Sequence, residues 1–360
     1  MAINLVTKFS DKVLERFHHK SYTASAASKD WTFDGIKTLK IFSVGTSPLN
    51  DYTRSGTSRY GNVEDLQDNT QTLTIEKDKS FTYAIDKGDN KQQLNIKSAN
   101  RSLTREIDEV ITPYLDKYNL EVWCRGAGSH VTDGGTAINK NNIVAKVMDC
   151  TEALDEAAAP ESGRTMWVTN AYYKELKQNP EFLNVDKLAE KALVRGEVGR
   201  IDDMRVVKVP NSYLPAGVDW LITHQSALLA PMQLKDYKIH TDPPGINGDL
   251  VEGRFIHDAF VLGERAKAVC VMLNNAYSTA KPTITNDTGN NKFTLSSAAQ
   301  SVLFYTTDGS DPAKSDSATN AGGSSATINY ANLSNGAIIR AVAVPTNNAK
   351  FNSDEATIAY

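Results

Sequence analysis

Cysteine is scarce in this chain. Cys124, Cys150 and Cys270 are the three in 360 residues, far apart and odd in number. They cannot make a disulfide framework, and they fit a reduced protein with buried thiols. Long apolar runs are missing too. No stretch reaches the roughly 20 apolar residues a membrane-spanning helix needs, so no membrane contact is expected. The first residues also lack the apolar core of a secretory signal. Positive charge is not in excess, since 39 Lys and Arg face 43 Asp and Glu, a net charge of -4. That balance argues against a dedicated nucleic-acid binder, whose phosphate contacts need a basic surface. Heptads and internal repeats are absent. What remains is a folded composition, 40% hydrophobic and 23% charged, long enough for two or three domains.

Catalytic signatures are also lacking. Gly126-Ala127-Gly128 has two glycines but no third and no clear strand before it, so it does not make a dinucleotide fingerprint. There is no phosphate-binding loop, nucleophile elbow or zinc-protease helix. His18, His19, His130, His224, His240 and His257 have no acid or cysteine at ligand spacing, and each reads as a structural or surface histidine. Asp202-Asp203 reads as a turn, and Asp149 with Glu152 as a solvated helix edge. The expectation is therefore no catalytic residue, no cofactor-binding residue, no metal site and no cofactor.

The most regular stretch is 91–118. Ile96, Ala99, Leu103, Ile107, Val110, Ile111, Tyr114 and Tyr118 recur at three- and four-residue spacing, one apolar stripe along a helix of roughly 40 Å. Arg101, Arg105, Glu106, Asp108 and Glu109 take the other side. Pro113 predicts a kink or break. Before this helix, residues 38–44, 71–75 and 80–85 read as strands, and 51–68 as a polar, turn-rich tip with Tyr52, Arg54, Gly56, Arg59 and Tyr60. Such extended ribbons are marginal alone and call for support from outside their own domain. Earlier still, Val6, Phe9, Val13 and Phe17 line a short helix whose other face carries Lys8, Lys12, Arg16 and Lys20. A basic amphipathic helix can lie on a membrane or on a partner. Asp11 and Glu15 dilute its charge, which favours a protein neighbour. Residues 21–28 then read as a flexible connector.

The middle of the chain is α/β. A helix is predicted over 137–159, with Ile143, Val147, Cys150 and Leu154 inward and Asn139 as cap. Residues 165–169 form a strand, and Asn170 caps a helix to 178. A short helix is expected over 187–193 and a turn at Gly196 and Gly199. Strands at 205–209 and 220–223, a short helix at 225–230, and strands at 251–260 and 268–273 complete a mixed core.

After Pro282 the composition shifts to Asn, Ser, Thr, Ala and Gly. Strands at 293–295, 302–306, 326–330, 338–344 and 356–359 read as a small β-sandwich that can bury its own core, with a hinge at Lys281-Pro282. Asp308-Gly309-Ser310-Asp311-Pro312 is a tight turn, and a calcium loop of that look is short of ligands. Tyr305 and Tyr330 are either stacking residues for a sugar or core residues.

The order of these elements resembles the major capsid proteins of tailed bacteriophages, the HK97-fold family. "NNIVAKVMDCTEALDEAAAPESGRTMWVTNAYYKELKQN", "VRGEVGRIDDMRVVKVP", "WLITHQSALLAPMQLKDYKI" and "GRFIHDAFVLGERAKAVCV" are similar to that family's axial domain and closing segment. "VLFYTTDGSDP" resembles immunoglobulin-like modules at the C-termini of chitobiases. The resemblance implies an α+β, HK97-like capsid fold. It divides the chain into an N-terminal arm (1–33), an E-loop with its flanking strand (34–90), a spine helix and P-domain (91–140), an A-domain (141–230), a return to the P-domain (231–280) and an immunoglobulin-like surface domain (281–360).

Function follows from the same resemblance. It implies a non-enzymatic structural protein of the virion, assembled in the host cytoplasm into hexamers and pentamers of an icosahedral head around double-stranded DNA. Neighbouring subunits would be held through the E-loop and N-arm. A separate scaffolding protein, a portal protein at one vertex and non-specific contact with packaged DNA are the further partners implied, and no cofactor is. Family members sometimes cross-link an E-loop lysine to a neighbour's asparagine. Lys77, Lys79 and Lys87 lie in or beside the loop here, but nothing singles out a partner. An adhesion protein acting through its C-terminal module is the alternative.

Overall fold

The computed structural model describes residues 21–28, 30–31, 33, 37–44, 49, 51–61, 68–92, 98–179, 200–202, 204–334 and 336–360. The expected arm helix with His18 and His19, residues 93–97 of the expected long helix with Ile96, the helix over 187–193 and the turn at Gly196 and Gly199 lie outside the described residues.

A six-stranded mixed sheet forms the centre. Its order is Ser129–Thr132, Val269–Leu273, Val218–His224, Arg164–Thr169, Met204–Val209 and Arg200–Ile201. All seven residues of Val218–His224 are buried, as a central strand covered on both faces requires. Side chains alternate between two cores. Trp167, Leu221, Val269 and Val271 face one, together with Leu120, Trp123 and Cys124 of the long helix. Met166, Val168, Trp220, Ile222, Cys270 and Met272 face the other. That second core is closed by Ile143, Val147, Cys150 and Leu154 of helix Ile143–Glu156 and by Tyr173 and Leu176 of helix Asn170–Lys177. Each of these helices starts one residue off its expected cap or more. The caps are Asn142, not Asn139, and Thr169, not Asn170. The expected helix at 225–230 is a single 3-10 turn, Gln225–Ala227, before the short strand Leu228–Leu229.

The long helix runs from Ala99 to Arg125 without breaking. Proline cannot donate an amide, and its ring crowds the carbonyl four residues back. The chain absorbs this with a π turn, Ile107–Ile111, closed by Thr112 N–H to the Ile107 carbonyl, and Pro113 sits in the first turn of the segment that follows. The extra residue rotates the face. Ala99 and Leu103 pack with Ile85 and Val251, Ile111 is buried, Val110 is turned to solvent, and Leu120 and Trp123 enter the central core. The single stripe is thus two stripes offset by the π turn.

Two sheets flank this body. Thr38–Val44 pairs antiparallel with Asp68–Thr74 as a hairpin. Lys77–Asp86 does not extend that hairpin. It pairs with Gly248–His257, which pairs with Met232–Thr241.

The C-terminal region forms two antiparallel sheets, one of Thr283–Asp287, Lys292–Ser296 and Ser325–Asn329, the other of Thr319–Asn320, Ser301–Thr306, Ile338–Pro345 and Ala356–Ala359. Phe293, Leu295, Leu303, Ile328, Ile339 and Ala341 fill the space between them. Its packing is not self-contained, contrary to expectation. Phe351 is buried in the central core with Trp123 and Val271, its N–H donates to the Tyr277 carbonyl, and the Arg125 guanidinium lies 5.3 Å from its ring centre. His130 N–H donates to Asp354 at 2.8 Å, and Lys267 lies 3.7 Å from Glu355. Five strands fell where the sequence predicted. Thr283–Asp287 and Thr319–Asn320 carry few apolar residues and were missed.

Residues 21–28 are docked rather than flexible. The Asp116 carboxylate, buried on the long helix, accepts from Ser21 Oγ, Tyr22 N, Thr23 N and Thr23 Oγ1 at 2.6–3.2 Å. Ala26 is buried in the central core, and Trp167 Nε1 donates to the Tyr22 carbonyl.

Candidate assembly surface

The hairpin has two unlike faces because strand side chains alternate. Leu39 and Ile41 turn inward and pack with Phe33, Leu73, Ile75, Leu229 and Leu262. Phe42 and Val44 turn out, exposed by 67% and 63%. Leu49 is fully exposed, and Tyr52 and Tyr60 lie open in the tip. The tip is folded on itself. Thr53 N donates to the Arg59 carbonyl, Arg59 Nε to the Gly56 carbonyl, and the two tyrosine rings meet edge-on at 5.1 Å. Gly56 at φ +98° makes the reversal that a Cβ would strain. Half of the large exposed apolar residues among the described ones therefore sit on one protrusion. Exposed apolar residues in this number make the hairpin a candidate contact surface. Sequence reasoning found Tyr52 and Tyr60 in the tip but read 38–44 only as a strand, without assigning Phe42 and Val44 to its outer face.

The three lysines considered for cross-linking are occupied inside the subunit. Lys77 Nζ lies 5.9 Å from the Tyr118 ring centre, Lys79 Nζ 6.0 Å from that of Tyr114, and Lys87 pairs with Asp242. Lys77 and Lys79 belong to the strand Lys77–Asp86 and Lys87 to the short helix Lys87–Gln92 that follows it, not to the hairpin.

The histidines are scattered. His130 Nδ1 is 3.1 Å from Asp354, and His240 lies 3.4 Å from Glu252, acids too distant in sequence to be read as partners. His224 sits between Ser226 Oγ and the Ser162 carbonyl, and burial pushes its pKa down. His257 is buried between the Tyr114 and Tyr118 rings with no partner for either nitrogen, and burial lowers its pKa too. Among the described residues no group of three or more His, Cys, Asp or Glu is placed to hold a metal ion.

The other candidates resolve as structure. A Cβ on Gly126 would meet Val261 at 2.8 Å, and one on Gly128 would meet the Ala266 backbone at 2.6 Å, so close packing demands these glycines. Asp202 occupies a left-handed turn position, φ 49°, and Asp149 pairs with Lys146 on the helix surface. In the 308–312 turn the Asp308 carboxylate accepts from Ser310 N, Ser310 Oγ and Ser317 Oγ, which hold its pKa down against burial. Those bonds close the turn that the motif predicted. Tyr330 packs on Phe293 and Tyr360 at 5.3 and 4.8 Å. The Cys270 thiol contacts Cys150, and that bond and burial raise the Cys270 pKa far above the usual range, so this thiol is inert. No helix among the described residues is long and apolar enough to cross a membrane.

The fold has clear counterparts. A chain from Mycobacterium phage Che8 superposes with a TM-score of 0.60 at 18% identity, covering 74% of this chain and 96% of that one. The capsid structure of cyanophage P-SCSP1u matches with a TM-score of 0.60 at 15% identity, covering 75% of this chain and 92% of that one. The mature capsid of bacteriophage PhiM1 matches at 0.59 and 12% identity, with coverage of 75% and 92%. At these identities the likeness is one of fold, and this chain has the mixed α/β fold of phage capsid subunits. The sequence matches no protein-family model and no curated protein.

Proposed function

We propose that this chain is the major capsid protein of a tailed bacteriophage, built on an HK97-like fold and assembling as hexamers and pentamers into an icosahedral head around double-stranded DNA. The observation that carries the reading is that about three quarters of this chain covers 92% of each of two phage capsid chains. In this reading Ala99–Arg125 is the spine, the hairpin and its tip are the E-loop, residues 141–230 are the A-domain, and 231–280 return to the P-domain. The quarter left over is close in size to the C-terminal β unit, which takes the part of an immunoglobulin-like addition to the shell. The protein acts as a structural component of the virion, assembled in the host cytoplasm with a scaffolding protein and a portal as partners.

The exposed apolar row gives the E-loop something to do. It covers a neighbouring subunit, and burying Phe42 alone contributes about 1.5–3 kcal/mol per contact made. Because a shell repeats each contact many times, a single change there has a large effect on assembly. Phe42→Lys and Tyr60→Lys should leave the melting temperature of the subunit unchanged and abolish particles. Sedimentation and negative-stain microscopy, with the phage's scaffolding protein co-expressed, read both. Normal shells from both variants would remove the hairpin from the interface, and no particles from the parent under any scaffold would remove the capsid reading.

A further inference from the structure

We infer that the C-terminal β unit braces the hairpin within a single subunit, fixing its direction before any neighbour is met. The strand Asp68–Thr74 is held on both faces. On the inner face Leu73 packs in the body, and Gln71 bonds Val261 O through Nε2 at 3.2 Å and Gly263 N through Oε1 at 2.8 Å. On the outer face Thr70 and Thr72 stand side by side, as residues two apart in a strand must. Both hydroxyls donate to one carboxylate oxygen of Asp316, at 3.2 and 2.7 Å, and Asp316 N–H donates to the Thr70 carbonyl at 3.1 Å. Three bonds from the C-terminal unit therefore converge on the hairpin through one residue.

The loop that carries Asp316 is itself fixed. Asp308 gathers Ser310 and Ser317, and Ser315 N donates to the Asp311 carbonyl at 2.8 Å. Lys314, largely buried, donates to the Gly126 carbonyl at the C-terminus of the long helix at 2.7 Å, where a cation is favoured. One loop thus ties the hairpin to the end of the long helix. The seam is not closely packed. A cavity of about 140 Å³ lies in it, lined by Trp31, Phe42, Gln71, Arg265 and Lys314 among others. Across this seam the hydrogen bonds of Asp316 join the hairpin to the C-terminal unit.

Hydrogen exchange on the unassembled full-length subunit tests this independently of shell formation. Asp316→Ala should speed exchange in Thr38–Val44 and Asp68–Thr74 by about tenfold, while Val218–His224 keeps its rate. The double variant Thr70→Val, Thr72→Val removes both hydroxyl bonds to Asp316, keeps side-chain shape and leaves the sequence of the C-terminal unit unchanged. It should speed the hairpin similarly and leave Ile338–Pro345 unchanged. Should Asp316→Ala loosen Ile338–Pro345 as well, the threonine variant alone decides. Parent-like exchange in its hairpin overturns the brace.

Discussion

Phe351 is the residue with the largest consequence for how this molecule is divided. It comes from the C-terminal unit and is 1% exposed in the core of the body. Truncating a buried phenylalanine removes its transfer free energy and leaves a cavity, at a cost of about 3–5 kcal/mol. Phe351→Ala should therefore lower the denaturation midpoint of the whole chain, and Phe351→Leu should lower it less. A midpoint equal to the parent's would mean the side chain is not in the core. Asp219 carries a prediction of a different kind. Burial raises its pKa to about 6, opposed by the Tyr172 hydrogen bond and reinforced by Asp133. The folded pKa lies above the unfolded one, so the folded state holds the proton longer. The carboxyl costs nothing below about pH 4, and its penalty grows as pH rises through 6. Asp219→Asn keeps an acceptor for Tyr172 and cannot ionise. It should be more stable than the parent by about 1–3 kcal/mol at pH 8, with the gap closing toward pH 4. Chemical denaturation at the two pH values measures it, and a pH-independent gap would refute the assignment.

At the level of the element, the long helix shows how one extra residue redirects a face. A regular α-helix would bury Val110 along with Ile107 and Ile111. The π turn before Pro113 leaves Val110 52% exposed and aligns Leu120 and Trp123 with the central core. Val110→Asp should change stability by less than about 0.5 kcal/mol, as exposed sites do. Leu120→Asp places a carboxylate where nothing can pair it, which costs several kcal/mol or forces protonation, and should yield no folded protein. Leu103, half-buried against Val251, falls between the two. Circular dichroism reads the loss of fold in Leu120→Asp and thermal melts compare the other two, and loss of fold in Val110→Asp as well would mean a continuous α-helix instead.

For the whole molecule, the boundary at Lys281 holds for sheet pairing but not for packing. Strands after it pair with one another, yet Phe351, Asp354, Lys314 and Asp316 each reach the body or the hairpin. A chain ending at Thr279 loses Phe351, uncovers Trp123 and Val271, and frees the hairpin's outer face. It should melt measurably lower than the full chain, since uncovering a buried aromatic and its neighbours costs about 3–5 kcal/mol. A truncated chain that melts with the parent and assembles would restore an independent, dispensable decoration. The composition shift alone argued for that arrangement, because composition reports what a segment can bury by itself and not where it docks.

The sequence by itself determined the elements whose signal is local. The helix under the apolar spacing, the buried strand at 164–169, the helix carrying Ile143, Val147 and Leu154 and the five C-terminal strands with apolar alternation were legible, since period and turn chemistry act over a few residues, whereas the strands Ser129–Thr132 and Met232–Thr241 were not read. Tertiary structure alone decided what depends on distant neighbours. It drew Lys77–Asp86 away from the hairpin to Gly248–His257, turned Phe42 outward and Ile41 inward, made an anchor of Ser21–Thr23 on Asp116, and seated Phe351 in another unit's core. The physical reason is the same in each case. A strand's partner, a buried carboxylate's donors and the site that receives an aromatic ring are set by free energies of contact between residues some seventy to more than two hundred positions apart, and no local pattern in the chain records which of them will meet.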